Sequence, residues 1–113
     1  MFIQDYQFGR ITIKGQEYTS DVVIYPDRVQ NPWRRRSGHD LTIADFEEVL
    51  AAGPEMLIIG TGRSGLLTVH ADVMLQLKSA GIDVFAYRTT DAVKLYNSIP
   101  KCHMIVAALH LTC

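Results

Sequence analysis

The chain has 113 residues, enough for one domain with a real core but too few for the two halves of a full dinucleotide-binding fold. Hydrophobic residues make up 48% and charged residues 20%, the balance of an ordinary folded domain and not of a disordered chain. The formal net charge of -1 gives no overall attraction to nucleic acid, and apolar runs such as "MIVAAL" fall far short of the roughly 20 residues that a membrane span needs.

The first quarter reads as β. Ile11 and Ile13 alternate, Gly15 marks a turn, and the pattern resumes through Tyr18 to Val22, Val23, Ile24 and Tyr25, which predicts a hairpin ended by Pro26. Residues 26–40, "PDRVQNPWRRRSGHD", carry turn residues and no apolar period, so they read as a long loop of the kind that is often functional. A helix is predicted over 42–52: Thr42 can cap it, acidic residues follow in its first turns, Ile43, Phe46, Val49 and Leu50 share a face, and Gly53-Pro54 ends it.

"MLIIG" at 56–60 reads as a strand buried on both faces. Helical spacing follows from Thr68 to Ala80, a strand over 82–87, a helix over 91–99 before Pro100, and a last strand in "HMIVAALHL". Alternating strands and helices predict parallel pairing of 22–25, 57–60 and 83–87 through right-handed crossovers, with the direction of the last strand open. No repeat or linker divides the chain, so 1–113 reads as a single domain.

"GTGRSG" matches Gly-x-Gly-x-x-Gly at Gly60, Gly62 and Gly65 between a strand and a helix. The dinucleotide reading fails on two counts. The next helix starts too far beyond Gly65, and the acidic residue wanted at the end of the following strand is missing, because that strand ends in "AYR" and Asp83 sits at its start. What remains is a glycine corner that could double as an anion-binding turn. On a parallel sheet the carboxyl edge would collect Arg28, Arg34, Arg35, Arg36, Arg63 and Arg88, and such arginines either bind an anion or pair with Asp27, Asp40 and Asp91. Trp33 with Arg34 and Arg35 also fits a partner-binding patch, against the alternative of a tryptophan folded over the core.

Cys102 and Cys113 are too few for a disulfide framework and form no Cys-x-x-Cys pair. His110 and Cys113 stand three apart, on opposite faces of a strand, and His39, His70 and His103 have no metal-ligand spacing. No catalytic residue, metal site or cofactor is therefore predicted. "MFIQDYQFGR" lacks the pattern of a signal peptide, and a soluble, reducing, cytoplasmic setting is expected.

Taken together, "YPDRVQNPWRRRSGH", "EMLIIGTG", "GIDVFAYRTTDAVKLYN" and "LHLTC" resemble a small family of unassigned biochemical function found across archaea, bacteria and eukaryotes. Its eukaryotic members include a mitochondrial complex I assembly factor and an adipogenesis-associated cytosolic protein. The resemblance implies a compact three-layer α/β fold with a mixed central sheet flanked by helices, and with an added N-terminal β-hairpin. It implies shared features at Trp33, Gly60, Gly62 and Tyr96–Asn97, no requirement for Gly65, and no agreed catalytic residue or cofactor. The mitochondrial role is not carried over, since no presequence is read here.

Two functions follow as expectations. The first is a non-enzymatic interaction or assembly-type module that meets a protein partner through the 26–40 loop, with Trp33, Arg34 and Arg35. The alternative is a small-molecule domain that takes an anion at the arginine-rich edge, with Gly60, Thr61, Gly62, Arg63, Arg36 and Arg88. Neither reading involves nucleic acid or membrane, and the oligomeric state is left open.

Overall fold

The structure is a computed structural model that describes residues 1–36, 38–100 and 104–113. Cys102 and His103, and with them the sequence readings that involve them, lie outside the described residues.

The chain starts as an antiparallel meander of β1 (Ile3–Gln7), β2 (Arg10–Ile13) and β3 (Gln16–Tyr18). Lys14 and Gly15, at φ 51° and 82°, form the left-handed two-residue turn that suits the twist of paired strands. The predicted hairpin is thus present, with β1 added on its outer side. It does not run on into residue 22. β4 (Val22–Ile24) is buried at all three positions, as a strand covered on both faces must be, and it belongs to a second sheet.

After β4 come β5 (Val29–Gln30) and β6 (Asp40–Leu41), so the predicted loop over 26–40 contains a short return strand. A 3-10 turn at Ile43–Phe46 leads into α1 (Glu47–Ala52), with the Thr42 N–H donating to Asp45 Oδ2 at 2.8 Å. Gly53, at φ 62°, closes α1 by donating to the carbonyls of Val49 and Leu50. Next are β7 (Met56–Gly60), β8 (Thr68–Val69), α2 (Ala71–Ser79), β9 (Asp83–Tyr87), α3 (Thr89–Ser98) and β10 (Ile105–Leu109). The helix predicted from Thr68 begins only at Ala71, because Thr68 and Val69 pair in parallel with Asp40 and Leu41.

The central sheet runs β5-β4-β10-β7-β9. β10, β7 and β9 are parallel, whereas β4 is antiparallel to β10, which makes the sheet mixed and corrects the expectation that 22–25 runs parallel with 57–60 and 83–87. The cause is the insertion of β10 between β4 and β7, a long-range choice that no local pattern signals. The Tyr25 end of β4 consequently lies at the amino edge of the parallel strands. Arg28 goes with it and is separated from Arg63 and Arg88, while β5 folds back along β4 and returns the chain after Gln30 toward the carboxyl edge.

Period-two alternation divides the sheet into two faces. Leu57, Ile59, Val106, Ala108 and Val23 face a layer containing Phe46, Val49, Val73 and Leu77 from α1, α2 and the turn before α1. Ile58, Ile105, Ala107, Leu109, Val22 and Ile24 face Ala92 and Tyr96 of α3 and Ile3, Ile11 and Ile13 of the meander. The result is a three-layer α/β domain. Ile24, Leu57, Ile58, Ile59 and Val84 are buried as predicted, whereas Phe85 is only half-buried because β9 is an edge strand.

Asn97 fastens the meander to α3. Its Oδ1 accepts from the Ile3 N–H at 2.9 Å and its Nδ2 donates to the Ile3 carbonyl at 2.8 Å. Asn97→Ala would leave both backbone groups of Ile3 without these partners and should cost about 1–3 kcal/mol. Denaturant unfolding measures that loss, and faster hydrogen exchange at the Ile3 amide places it in β1.

Candidate functional site

The carboxyl edge of the parallel strands is built around glycines. A Cβ on Gly60 would lie 2.8 Å from Thr89 Oγ1 and 2.9 Å from Leu109 Cδ2, so only glycine lets α3 start this close to β7. Gly62 has φ +100°, and a Cβ there would fall on the Cys113 carbonyl and within 2.9 Å of the His110 ring. At Gly65, with φ +74°, a Cβ would meet only side chains, Arg88 at 3.4 Å and Thr61 Oγ1 at 3.7 Å.

The N–H groups of residues 61–67, Ser64 apart, are already taken. Thr61 donates to the Tyr87 carbonyl at 2.8 Å, Gly62 to Thr89 Oγ1 at 2.8 Å, and Arg63 to the Thr112 carbonyl at 2.7 Å. Gly65 donates to the Gly62 carbonyl at 3.2 Å, Leu66 to the Cys113 carbonyl at 2.9 Å, and Leu67 to the Thr61 carbonyl at 3.0 Å. A phosphate-cradling loop keeps such donors for its ligand. Here they hold β9, α3 and residues 112–113, and the α2 N-terminus lies beyond β8. With the Thr61 and Gly62 N–H groups engaged, Gly60, Thr61 and Gly62 serve as a structural corner, the first of the two roles expected of this turn.

A partly buried polar centre that sequence reasoning missed adjoins the corner. His110 Nδ1 lies 2.8 Å from Asp21 Oδ2, the Arg35 guanidinium pairs with the same carboxylate, and the Leu111 N–H donates to Asp21 Oδ1 at 2.8 Å. Burial by itself would raise the Asp21 carboxyl, but its bonds with His110, Leu111 and Arg35 outweigh that and hold it below the ordinary 3.8. His110 Nε2 is 3.4 Å from Thr112 Oγ1. Asp21 stood in no recognisable motif, and only its place just before an apolar strand could have drawn notice.

Arg35 is thus engaged within the protein. Trp33 is 4% exposed, tilted against Phe46, with its Nε1–H donating to the Asp45 carbonyl at 3.2 Å. This corrects the reading of Trp33 and Arg35 as a partner-facing patch, because the ring completes the core under the loop. Arg34, Arg36, Arg63 and Arg88 are exposed, and no ion pair holds them among the described residues. Arg63 lines a cleft of about 480 Å³ with Tyr6, Gln7, Phe8 and Thr90, between the β1–β2 turn and the start of α3. The Tyr6 hydroxyl donates to the Leu111 carbonyl at 2.9 Å, and Phe8 is 55% exposed. Among the described residues, no three His, Cys, Asp or Glu side chains are grouped to hold a metal, and no helix is long and apolar enough to cross a membrane.

A mixed five-stranded α/β domain with an appended meander and a glycine corner at its carboxyl edge defines the structural class. The chain belongs to the family described as protein of unknown function (DUF498/DUF598), whose model matches residues 3–110. It resembles a conserved hypothetical protein, PH1505, from Pyrococcus horikoshii OT3, with a TM-score of 0.87, 28% identity and all of each chain covered. An outer membrane protein from Bartonella henselae shares the fold at a TM-score of 0.83 and 21% identity, over 98% of this chain and 94% of that one. In sequence it is similar to the 13 kDa major membrane protein of Francisella tularensis subsp. holarctica (strain LVS), 26% identical over 104 residues, covering 86% of this chain and 79% of that protein.

Two outcomes check this description. Gly62→Val should lower the melting temperature sharply in ligand-free protein, while Arg63→Ala leaves it nearly unchanged. Asp21→Asn should cost about 3 kcal/mol at neutral pH by leaving the Arg35 charge poorly compensated. Because the folded carboxyl is held below its unfolded value, its stabilisation is fully present above pH 3.8 and is lost as pH falls through the folded pKa. Acid unfolding followed by circular dichroism should therefore lose part of its steepness in Asp21→Asn.

Proposed function

We propose that this protein binds a small anionic ligand with an apolar or aromatic body in the cleft between the β1–β2 turn and α3. The observation that carries this reading is the exposed Arg63 guanidinium, held by no ion pair among the described residues and lining with Phe8 a cleft of about 480 Å³. That volume is within the usual range for small-molecule sites, and an arginine offers a bidentate fork to a carboxylate or phosphate. Thr90 adds a hydroxyl beside the first turn of α3, where the helix dipole favours negative charge. Asp91 stands in that same turn, so Arg63 supplies most of the attraction. Gly60, Thr61 and Gly62 position Arg63, Arg88 stands nearby as a further cation, and Arg36 is peripheral. This role needs no cofactor and suits the cytoplasmic setting that composition suggests.

A second reading, a protein-interaction module, is favoured by Leu66 and Tyr87, which are 54% and 46% exposed on the same edge as Arg63 and Arg88. The resemblance to an assembly factor belongs with this reading. Its contact surface would be the carboxyl edge with Arg34 and Arg36 at its margin.

Titration with phenyl phosphate, followed by amide chemical shifts, separates the two. The first reading expects saturable shifts at Gln7, Phe8, Arg63 and Thr90, lost in Arg63→Ala and weaker with inorganic phosphate. Shifts elsewhere, or an unchanged response in Arg63→Ala, would overturn it.

A further inference from the structure

A separate small cavity opens between the β4–β5 pair and the start of α1, with a volume of about 130 Å³. Tyr25 and Trp33, 1% and 4% exposed, form its inner wall, and the exposed Arg34, Glu47 and Glu48 stand around it. The Tyr25 hydroxyl is buried and has no hydrogen-bond partner among the described residues. Buried hydroxyls rarely go unpaired in native proteins, and a water or a guest in the cavity can supply this partner.

Asp45 and the Trp33 indole, also in the wall, have partners. The Asp45 carboxylate accepts from the Arg36 N–H and from the N–H and hydroxyl of Thr42, and its carbonyl accepts from Trp33. Among the described residues, no hydrogen bond or ion pair engages the Arg34 guanidinium or the Glu47 and Glu48 carboxylates. The open needs of the cavity are thus an acceptor for Arg34, donors for the two glutamates and a partner for the phenol, and the Gln30 amide of the wall can donate or accept.

A guest that is only a cation leaves the Arg34 guanidinium of the wall without an acceptor. A guest that is only an anion meets Glu47 and Glu48. Burial, and next the Glu48 charge, push the Tyr25 hydroxyl above its ordinary value, so it stays a neutral phenol that can accept from an ammonium. Size narrows the choice further: an apolar cavity of roughly 150 Å³ takes benzene, which has six heavy atoms.

We propose that this cavity binds a free α-amino acid of the size of glycine or alanine, its ammonium toward Tyr25 and Glu48 and its carboxylate toward Arg34. The site shares no residue with the Arg63 cleft and does not depend on it.

Trp33 is the sole tryptophan of the chain and stands in the wall, so its fluorescence reports occupancy. Glycine and L-alanine should change it saturably at millimolar concentration, with methylammonium, acetate and L-phenylalanine each at least about tenfold weaker. Tyr25→Phe and Glu48→Gln should each weaken alanine binding by about tenfold or more. Tyr25→Phe should keep or raise the ligand-free melting temperature, since it removes an unpaired buried hydroxyl. Arg63→Ala should bind alanine as the wild type does. An absent or unsaturable response to both amino acids, equal binding of methylammonium or acetate, or full alanine affinity in both Tyr25→Phe and Glu48→Gln would overturn the proposal. Glu48→Gln keeps the test decisive if Tyr25→Phe fails to fold.

Discussion

The close approach of Thr89 to Gly60 is the constraint on which the carboxyl edge depends. The Thr89 hydroxyl, fully buried, accepts from the Gly62 N–H at 2.8 Å and donates to the His110 carbonyl at 2.6 Å. One side chain at the first turn of α3 thereby joins the end of β7 to the end of β10. A side chain at Gly60 would push α3 away, and both bonds would lengthen together. Hydrogen bonds in a water-free corner are costly to leave unmade, so the corner acts as a unit.

The polar centre of Asp21, Arg35 and His110 extends that unit across the sheet. It binds the residue before β4, the arginine loop after β5 and the residue after β10, three points remote in sequence. The pairing also explains why a run of three consecutive arginines is not one uniform basic patch. Arg35 turns inward to a carboxylate, while Arg34 and Arg36 remain outside. The Arg63 cleft and the Tyr25 cavity then lie in separate places, one beside the meander and the other beside α1, each bounded by elements that the core already holds rigid.

Most of the elements were legible in the sequence. Alternation at Ile11 and Ile13, the uniform apolar run at 57–59 and the i, i+3, i+4 spacing of Ala92, Leu95 and Tyr96 reflect short-range geometry, which period alone reveals. The extra strand β1 was harder to read, because residues 3–7 bury only Ile3. Thr68 and Val69 passed for the start of a helix, since two residues are too few to show a period and their pairing with Asp40 and Leu41 is non-local.

What the sequence determined by itself was the α/β class, the two-faced burial of β7, and the need for glycine at the end of β7. These follow from side-chain period, backbone freedom and composition, all properties of neighbouring residues. Only the tertiary structure decided the sheet order. With β10 between β4 and β7, Arg28 moved to the far edge and Asp21 came within reach of His110, 89 residues away. The same order brought residues 112–113 onto the glycine loop and occupied the donors that an anion would have needed. Strand order is set by which long-range pairings bury the most apolar surface together, and that sum over the whole chain leaves no mark on any single segment.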